Sequence, residues 1–185
     1  MSHIHENVEP ASFLVEHLGL LPTGRVLDIA MGNGRNAIFL ARQGFKVEGV
    51  DISAEAINKA LKVARKEKVA IEAQVADLEK DYWIKPGYYD AIICFYYLQR
   101  SLIPQIKEGL RRGGVIVYET FLIEQMQWGK PKNPDFLLRH NELLDLFRDF
   151  RVLRYREGVF ENHGDKRAIA SLVAEKVKLT KNLRS

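Results

Sequence analysis

The stretch VLDIAMGNGRNAIFLARQGFKVEGVDIS, residues 26–53, decides the fold. It contains a short apolar run that predicts a buried strand at 25–30, then two glycines, a helical pattern at 36–43 and a second strand at 46–51. A strand, a glycine-rich turn, a helix and a further strand make up the βαβ unit, whose strands are parallel. The stretch therefore predicts an α/β domain with a parallel sheet.

The same alternation continues through the rest of the chain. Apolar runs predict further strands at 71–75, 89–95, 115–120, 151–156 and 168–174, and helical patterns predict helices after Ser53, at 102–111 and at 141–149. Strands separated by helices form right-handed parallel crossovers, whereas the last two strands have no helix between them and should pair antiparallel. We expect a doubly wound α/β fold with seven strands, mostly parallel, and a C-terminal antiparallel pair.

Length and composition predict one domain. The chain has 185 residues, of which 46% are apolar, and this size suits a single core. Residues 1–22 are assigned to an N-terminal capping helix centred on 11–20, residues 23–177 to a Rossmann-like core and residues 178–185 to a basic tail.

Cysteine content and the N-terminus predict where the protein acts. A lone Cys94 can form neither an internal disulfide nor a thiolate zinc site by itself, which favours a reducing compartment, and no metal site is predicted. The N-terminus carries acids where a secretory signal needs bases, and the longer apolar run at 91–98 is far below the roughly 20 residues that span a bilayer. We expect a cytoplasmic protein with no membrane partner.

The charge balance is mild. The chain has 28 basic and 24 acidic residues, a formal charge of +4, and its bases are scattered except at 107–112 and in 176–184. This pattern permits a nucleic-acid partner without requiring one, and a small-molecule substrate is favoured.

The glycine loop after the first strand is the expected ligand site. In doubly wound sheets ligands bind beyond the carboxyl ends of the strands, where the strand order reverses. Residues 32–37, Gly-Asn-Gly-Arg-Asn-Ala, satisfy the dinucleotide pattern GxGxxA, with Asp51 as a ribose acceptor. Asp28, however, places a carboxylate inside the first strand, where a charge needs a partner. A cationic ligand would supply that partner, so a dinucleotide and a cationic cofactor both remain open from the residues alone.

Residues 26–53 resemble the first motif of class I S-adenosylmethionine-dependent methyltransferases, an acid followed by three spaced glycines and a second acid after the next strand. Ala30 replaces the first of the three glycines. The resemblance extends to Asp77 after the third strand, to the glycine pair before the fifth strand and to the seven-strand order, so it implies the Rossmann-like methyltransferase fold.

The resemblance implies that S-adenosylmethionine is the cofactor and that its site is made from the loop and the strand ends: Asp28, Ala30, Gly32, Asn33, Gly34, Asp51, Ile52, Asp77, Leu78 and Phe95. The implied role of Asp28 is to hold the methionyl amino group, while Asp51 accepts both ribose hydroxyls. Ile52 is expected to pack on the adenine, and Phe95 lines the methionyl end.

The Asp77 carboxylate is expected to accept from the adenine amino group, and the Leu78 backbone N–H faces the ring. The loop glycines, Gly32 and Gly34, pass close beneath the methionine portion. In isolation Asp51 could cap the following helix and Asp77 could be an ordinary loop acid.

Residues 32–45 refine the resemblance. The run Gly-Asn-Gly-Arg-Asn followed by Ala-x-x-Leu-Ala-x-x-Gly-Phe is similar to the tellurite-resistance type of methyltransferase. That group implies a small-molecule acceptor of the metalloid-oxyanion or thiol kind. A short hairpin at 159–166 departs from the more basic hairpin of that type.

The acceptor site is predicted from the segments that follow the fourth and fifth strands. Tyr96, Tyr97 and Arg139 are candidate substrate residues, and His163 and Arg167 are candidate catalytic residues. The long, basic segment 121–140 is expected to form a lid or binding loop that suits an anion, although a solvated basic loop is the alternative.

Three other functions remain open. A modifier of RNA or protein is suggested by the basic tail, a nicotinamide-dependent dehydrogenase by GxGxxA, and a noncatalytic S-adenosylmethionine-binding module by the fold alone. Salt-dependent binding, cofactor preference and turnover, respectively, distinguish them from the small-molecule methyltransferase.

Overall fold

The computed structural model describes residues 9–162 and 165–177. The strands are β1 Arg25–Ile29, β2 Lys46–Asp51, β3 Ile71–Val75, β4 Tyr89–Phe95, β5 Leu110–Phe121, β6 Arg151–Asn162 and β7 Asp165–Glu175. The α-helices are α1 Ser12–Glu16, α2 Arg35–Arg42, α3 Ala54–Lys66, α4 Ile103–Gly109 and α5 Glu142–Leu146, with short 3-10 turns at Leu18–Leu20, Arg100–Leu102, Ile123–Gln127 and Pro134–Phe136. His163 and the tail 178–185 lie outside the described residues.

The seven strands form one sheet in the order β3-β2-β1-β4-β5-β7-β6. The pairs from β3 to β5 are parallel, and β7 pairs antiparallel with both β5 and β6. This confirms the predicted doubly wound sheet with a C-terminal antiparallel pair. The chain runs outward from β1 to β3 and then returns to β4 on the other side of β1, so the strand order reverses between β1 and β4. The carboxyl ends of these two strands are therefore the expected ligand site.

Alternate side chains of the central strands enter two cores, one on each face of the sheet. The core beneath α1, α2 and α3 includes Phe13, Val26, Leu40, Ile57, Ile93 and Val117. The opposite core, beneath α4 and α5, includes Leu27, Ile92, Ile106, Tyr118, Phe147 and Leu172. Because both faces are covered, the central strands are apolar along most of their length, as the sequence indicated.

Several element boundaries differ from the sequence prediction. The helix predicted over 11–20 ends at Glu16 and continues as a 3-10 turn that contains Gly19, a residue of poor helix propensity. The helices predicted at 102–111 and 141–149 are also shorter. Strand β5 begins five residues early, at Leu110, and a register shift between its pairs with Tyr89 and Ala91 absorbs the glycine pair.

The final hairpin is longer than predicted. Strands β6 and β7 pair from Arg151↔Glu175 out to Asn162↔Asp165, well past the strand ends predicted at 156 and 168. Beyond Gly158 the paired residues include Phe160↔Arg167 and Glu161↔Lys166, a mixed and largely polar set that the apolar-run criterion does not detect. Ladder hydrogen bonds extend the hairpin beyond the sheet edge and bring Arg167 towards the ends of β4 and β5.

No helix within residues 9–162 and 165–177 combines the length and the apolar character needed to cross a lipid bilayer.

Candidate active site

The loop between β1 and α2 turns on three residues with positive φ. Ala30, Gly32 and Gly34 have φ values of 53°, 53° and 77°. A Cβ added to Gly34 would lie 2.7 Å from the Cβ of Ala60 in α3, so this position also needs glycine for packing. The missing first glycine of the motif is thus accommodated by Ala30 itself taking the left-handed conformation, which is strained for a residue with a Cβ.

Asp28 is the unusual side chain of this region. It is 2% exposed, and among the described residues its Oδ2 has no hydrogen-bond partner. Burial raises the pKa of Asp28 to about 8, and the nearby Asp51 carboxylate adds to the effect, against the opposing Arg35 guanidinium and the Ala37 backbone N–H. A buried carboxylate oxygen without a hydrogen-bond partner is costly, so this geometry suits a ligand that brings a positive charge.

Asp28 opens onto a cavity of about 200 Å³ beside the loop. The cavity is lined by Asp28, Ala30, Met31, Gly32, Asn33, Arg35, Asn36, Phe95 and Tyr96. The segment before α1 borders it, because Arg35 donates to the Glu9 carbonyl at 3.0 Å and the Ala11 N–H donates to Asn36 Oδ1 at 2.9 Å. Six of the predicted site residues thus line one cavity.

Asp51 connects the end of β2 to the glycine loop. Its Oδ2 accepts from the Gly32 N–H and its Oδ1 accepts from the Ser53 N–H, both at 2.8 Å. Ser53, and not Asp51, provides the side-chain cap of α3 by accepting from the Ala56 N–H. The Asp51 carboxylate is half-buried and keeps lone pairs for a ligand. Beside it, Ile52 is 68% exposed, which leaves an apolar platform at this strand end.

Asp77 and Leu78 follow the neighbouring strand β3. The Ala76 N–H donates to the Asp51 carbonyl at 3.1 Å, which keeps the two strand ends together. The Asp77 carboxylate accepts from the Glu79 N–H and lies 3.1 Å from the Lys80 ammonium, and these contacts lower its pKa. Leu78 is buried. Asp77 therefore stays ionised, as an acceptor must.

Tyr96 follows β4 and has a left-handed backbone with φ 58°. Its hydroxyl donates to Glu119 Oε1 at 2.9 Å, and the other oxygen of that buried carboxylate accepts from Ser171 at 2.7 Å and from Arg156 at 3.4 Å. Burial and the Glu119 charge raise the pKa of Tyr96, so its hydroxyl is a proton donor and not a base. The network holds the Tyr96 ring at the edge of the cavity, and the backbone of the residue keeps its unusual left-handed conformation there.

A second cavity, of about 480 Å³, lies beside the outer part of the final hairpin. It is lined by Phe121, Gln125, Trp128, Lys130, Asp165, Lys166 and Arg167. Two of these residues touch Tyr96: the Phe121 ring centroid is 5.0 Å from that of Tyr96, and an Arg167 guanidinium nitrogen is 3.5 Å from its hydroxyl. Tyr96, which lines the first cavity, is therefore in contact with two residues that line the second. We call the first the loop cavity and the second the hairpin cavity.

The remaining candidates lie elsewhere. Tyr97 packs against the core on the opposite face of the sheet from Tyr96, and burial raises its pKa to about 12. Arg139 is exposed, is paired with Glu142 at 3.5 Å and lines neither cavity. The long segment that carries it does contribute Trp128 and Lys130 to the hairpin cavity.

Two network residues, Arg156 and Ser171, were not among the sequence candidates. Arg156 lies in β6 and Ser171 in β7, within stretches where the sequence predicted strands and no functional residue. Ser171 faces Glu119 in the pairing of β5 with β7, and Arg156 faces Ser171 in the pairing of β6 with β7. The sequence offered one signal that could have identified them, namely an arginine and a serine in two strands that were predicted to pair.

Comparisons with known proteins agree with this geometry. The family model described as tellurite resistance protein TehB matches residues 1–174. The chain is 27% identical over 144 residues to hemagglutinin 1 of Eikenella corrodens, covering 73% of this chain and 46% of that protein. It is 23% identical over 171 residues to the probable S-adenosyl-L-methionine-dependent methyltransferase TehB of Haemophilus influenzae strain 10810, covering 88% and 56%. The chain thus spans about half the length of these curated relatives.

The comparison with solved structures shows a shared fold. The crystal structure of TehB from Haemophilus influenzae superimposes with a TM-score of 0.76 and 24% identity, over 95% of this chain and 63% of that chain. Because the family model covers nearly the whole sequence, the chain belongs to the family of tellurite resistance protein TehB.

Proposed function

We propose that the chain is an S-adenosylmethionine-dependent methyltransferase that acts on a small molecule. The observation that carries the proposal is the buried, unpartnered Oδ2 of Asp28 beside a glycine turn. A buried carboxylate oxygen that has no hydrogen-bond partner among the described residues is complementary to a ligand with an ammonium group.

The donors of the cofactor match the acceptors of the site. S-adenosylmethionine brings an ammonium, two ribose hydroxyls and an adenine amino group, and supplies an electrophilic methyl group on its sulfonium. Asp28 holds the ammonium, and Asp51 accepts from the ribose hydroxyls while it also fixes the loop through Gly32. The exposed Ile52 covers one adenine face, and Asp77 accepts from the adenine amino group.

A nicotinamide dinucleotide fits less well. Its pyrophosphate is anionic, and a second negative charge near the Asp28 carboxylate would raise the cost of burial further. The dehydrogenase alternative leaves Asp28 without a function, and its dinucleotide pattern is shared by the methyltransferase motif.

The acceptor occupies the hairpin cavity in this proposal. Arg167 lines the hairpin cavity and contacts Tyr96, which lines the loop cavity, and at this boundary between the two linings its guanidinium orients an anionic acceptor through charge-assisted hydrogen bonds. Tyr96 and Phe121 exclude water from the boundary and align the acceptor. A soft nucleophile with a free lone pair, such as a thiolate or a metalloid oxyanion, needs no general base, and His163 remains a predicted base for an acceptor that carries a proton.

Calorimetric titration tests the cofactor assignment. The wild-type protein is titrated with S-adenosylmethionine, S-adenosylhomocysteine and NAD, alongside the isosteric variants Asp28→Asn and Asp51→Asn. The proposal predicts binding of the first two ligands, weakened at least tenfold in each variant through loss of a charge-assisted hydrogen bond. Arg112→Gln, at the opposite end of the sheet, is the control and should bind as the wild type does. Binding of NAD alone, or of none of the three, would refute the proposal.

A further inference from the structure

The size and the lining of the hairpin cavity indicate what kind of molecule it can bind. Its volume of about 480 Å³ lies within the range of roughly 300–1,000 Å³ typical of pockets for organic ligands. A bare inorganic oxyanion, with only a handful of heavy atoms, would fill a small part of it. The size alone favours an organic molecule.

The lining is divided into an apolar part and a cationic part. Phe121 and Trp128 present aromatic side chains, and Trp128 is 40% exposed. A large aromatic side chain left exposed in a cavity gains most from a flat apolar partner that removes it from water. An inorganic anion, which is strongly hydrated, would leave this surface wet.

In the cationic part of the lining, the positive charges outnumber the negative ones. Lys130, Lys166 and Arg167 line the cavity together with one carboxylate, Asp165, which gives three positive charges against one negative charge. In the described part of the chain none of the three cations forms an ion pair with a carboxylate, and the Arg167 guanidinium instead contacts the neutral Tyr96 hydroxyl. The cavity therefore has a net charge of +2 and attracts an anion.

We propose that the hairpin cavity binds an organic anion with a flat, apolar body, the aromatic carboxylates being the simplest class. The body lies against Trp128 and Phe121, and the anionic group faces Lys130, Lys166 and Arg167. Among the acceptor classes that the sequence suggests, this selects an organic acid that carries the nucleophile, such as a thiol acid, over a metalloid oxyanion. That the bound molecule is the methyl acceptor rests on the proposed function; the binding preference does not.

The two tryptophans of the chain allow a site-specific measurement. Trp83 is 64% exposed and lines neither cavity, so Trp83→Phe leaves Trp128 as the sole tryptophan and a reporter inside the hairpin cavity. The Trp83→Phe protein, saturated with S-adenosylhomocysteine or without it, is titrated with benzoate, with the isosteric neutral benzamide and with selenite. Excitation at the red edge of tryptophan absorption avoids the benzoate band.

The proposal predicts saturable quenching of Trp128 by benzoate, with an affinity at least tenfold above that of benzamide or selenite. Lys130→Gln and Lys166→Gln, both on exposed side chains, should each weaken benzoate binding by about three- to tenfold, the effect of losing one charge-assisted contact. Arg112→Gln removes the same charge at the far end of the sheet and should leave the affinity unchanged.

Tighter binding of selenite than of benzoate, equal binding of benzamide, or an equal effect of all three charge removals would overturn the inference. A protein that binds S-adenosylhomocysteine but shows no benzoate quenching refutes the inference and leaves the proposed function intact. Benzoate quenching without any S-adenosylhomocysteine binding refutes the proposed function and leaves the binding preference standing.

Discussion

Replacing Asp28 with asparagine should remove the acid limb of the pH dependence of cofactor binding. Burial raises the pKa of Asp28 to about 8, so the carboxyl is mostly protonated in the unliganded protein at neutral pH. A ligand ammonium needs the ionised form. Binding must therefore expel a proton from Asp28, and affinity should rise as the pH approaches the pKa.

The size of the effect follows from the pKa. Well below pH 8 the ionised fraction changes about tenfold per pH unit, so the affinity for S-adenosylhomocysteine should rise about tenfold from pH 6 to 7 and then level off near 8. At higher pH, affinity should fall once the α-ammonium group of the ligand loses its proton. The Asp28→Asn protein should bind more weakly near pH 8 and show no rise between pH 6 and 7.

The stability of the unliganded protein gives an independent readout. As the pH rises, the free energy of unfolding should fall, whereas the affinity for the cofactor should rise. A carboxyl pKa that is raised on folding means that the folded state binds more protons than the unfolded state between the ordinary value, 3.8, and about 8. The free energy of unfolding of the wild type should therefore fall as the pH rises through this window. Asp28→Asn, which cannot ionise, should lack this decline and be more stable than the wild type at pH 8.

The assays are calorimetric titration at several pH values, repeated in buffers of different ionisation enthalpy to count released protons, and urea denaturation without ligand. The reasoning would be refuted if the affinity of wild type and variant changed equally with pH between 6 and 7, or if binding at pH 7 took up protons. Arg112→Gln should follow the wild type in every measurement.

Three further variants test the loop and the Tyr96 network. Ala30→Gly should raise the free energy of unfolding by up to about 1 kcal/mol because it relieves the strain of an alanine in the left-handed conformation. A lower free energy of unfolding than that of the wild type in urea denaturation would contradict this. Gly34→Ala should lower it by about 2 kcal/mol, since the new Cβ would lie 2.7 Å from that of Ala60, and an unchanged thermal midpoint would count against the packing argument. Tyr96→Phe removes the hydroxyl that donates to Glu119 and should cost about 1 kcal/mol while leaving S-adenosylhomocysteine affinity within about threefold; a larger loss of cofactor affinity would place the hydroxyl in the cofactor site.

Much of the fold was predictable because its signals are local. The apolar runs that become β1 and β4 are buried on both faces and therefore stand out in the sequence. The order of strands and helices then restricts the topology through the handedness of crossovers. The family resemblance seen in residues 26–53 is confirmed by the family model.

The outer hairpin and the ends of the helices were not predictable in the same way. Beyond Gly158 the pairing of β6 with β7 rests on backbone hydrogen bonds between polar residues, which leave no hydrophobic period. The first helix ends at Glu16 although Leu18 continues its apolar spacing, because the chain enters a 3-10 turn that contains Gly19.

The candidate site shows the same division. The loop and Asp28 were found because glycine spacing and a charge inside an apolar strand are unusual in sequence. The contact of Arg167 with Tyr96 joins residues far apart in the chain, and it depends on both the extended hairpin and the left-handed turn at Tyr96. Arg139 was selected for its charge in a basic segment, but its side chain pairs with Glu142.

The most direct test of the central claim is a crystal structure of the protein with S-adenosylhomocysteine. The account predicts the ligand amino group within hydrogen-bonding distance of Asp28 Oδ2, the ribose hydroxyls at Asp51 and the adenine against Ile52. The account would be contradicted if S-adenosylhomocysteine occupied the hairpin cavity, or if it occupied the loop cavity with its amino group directed away from Asp28.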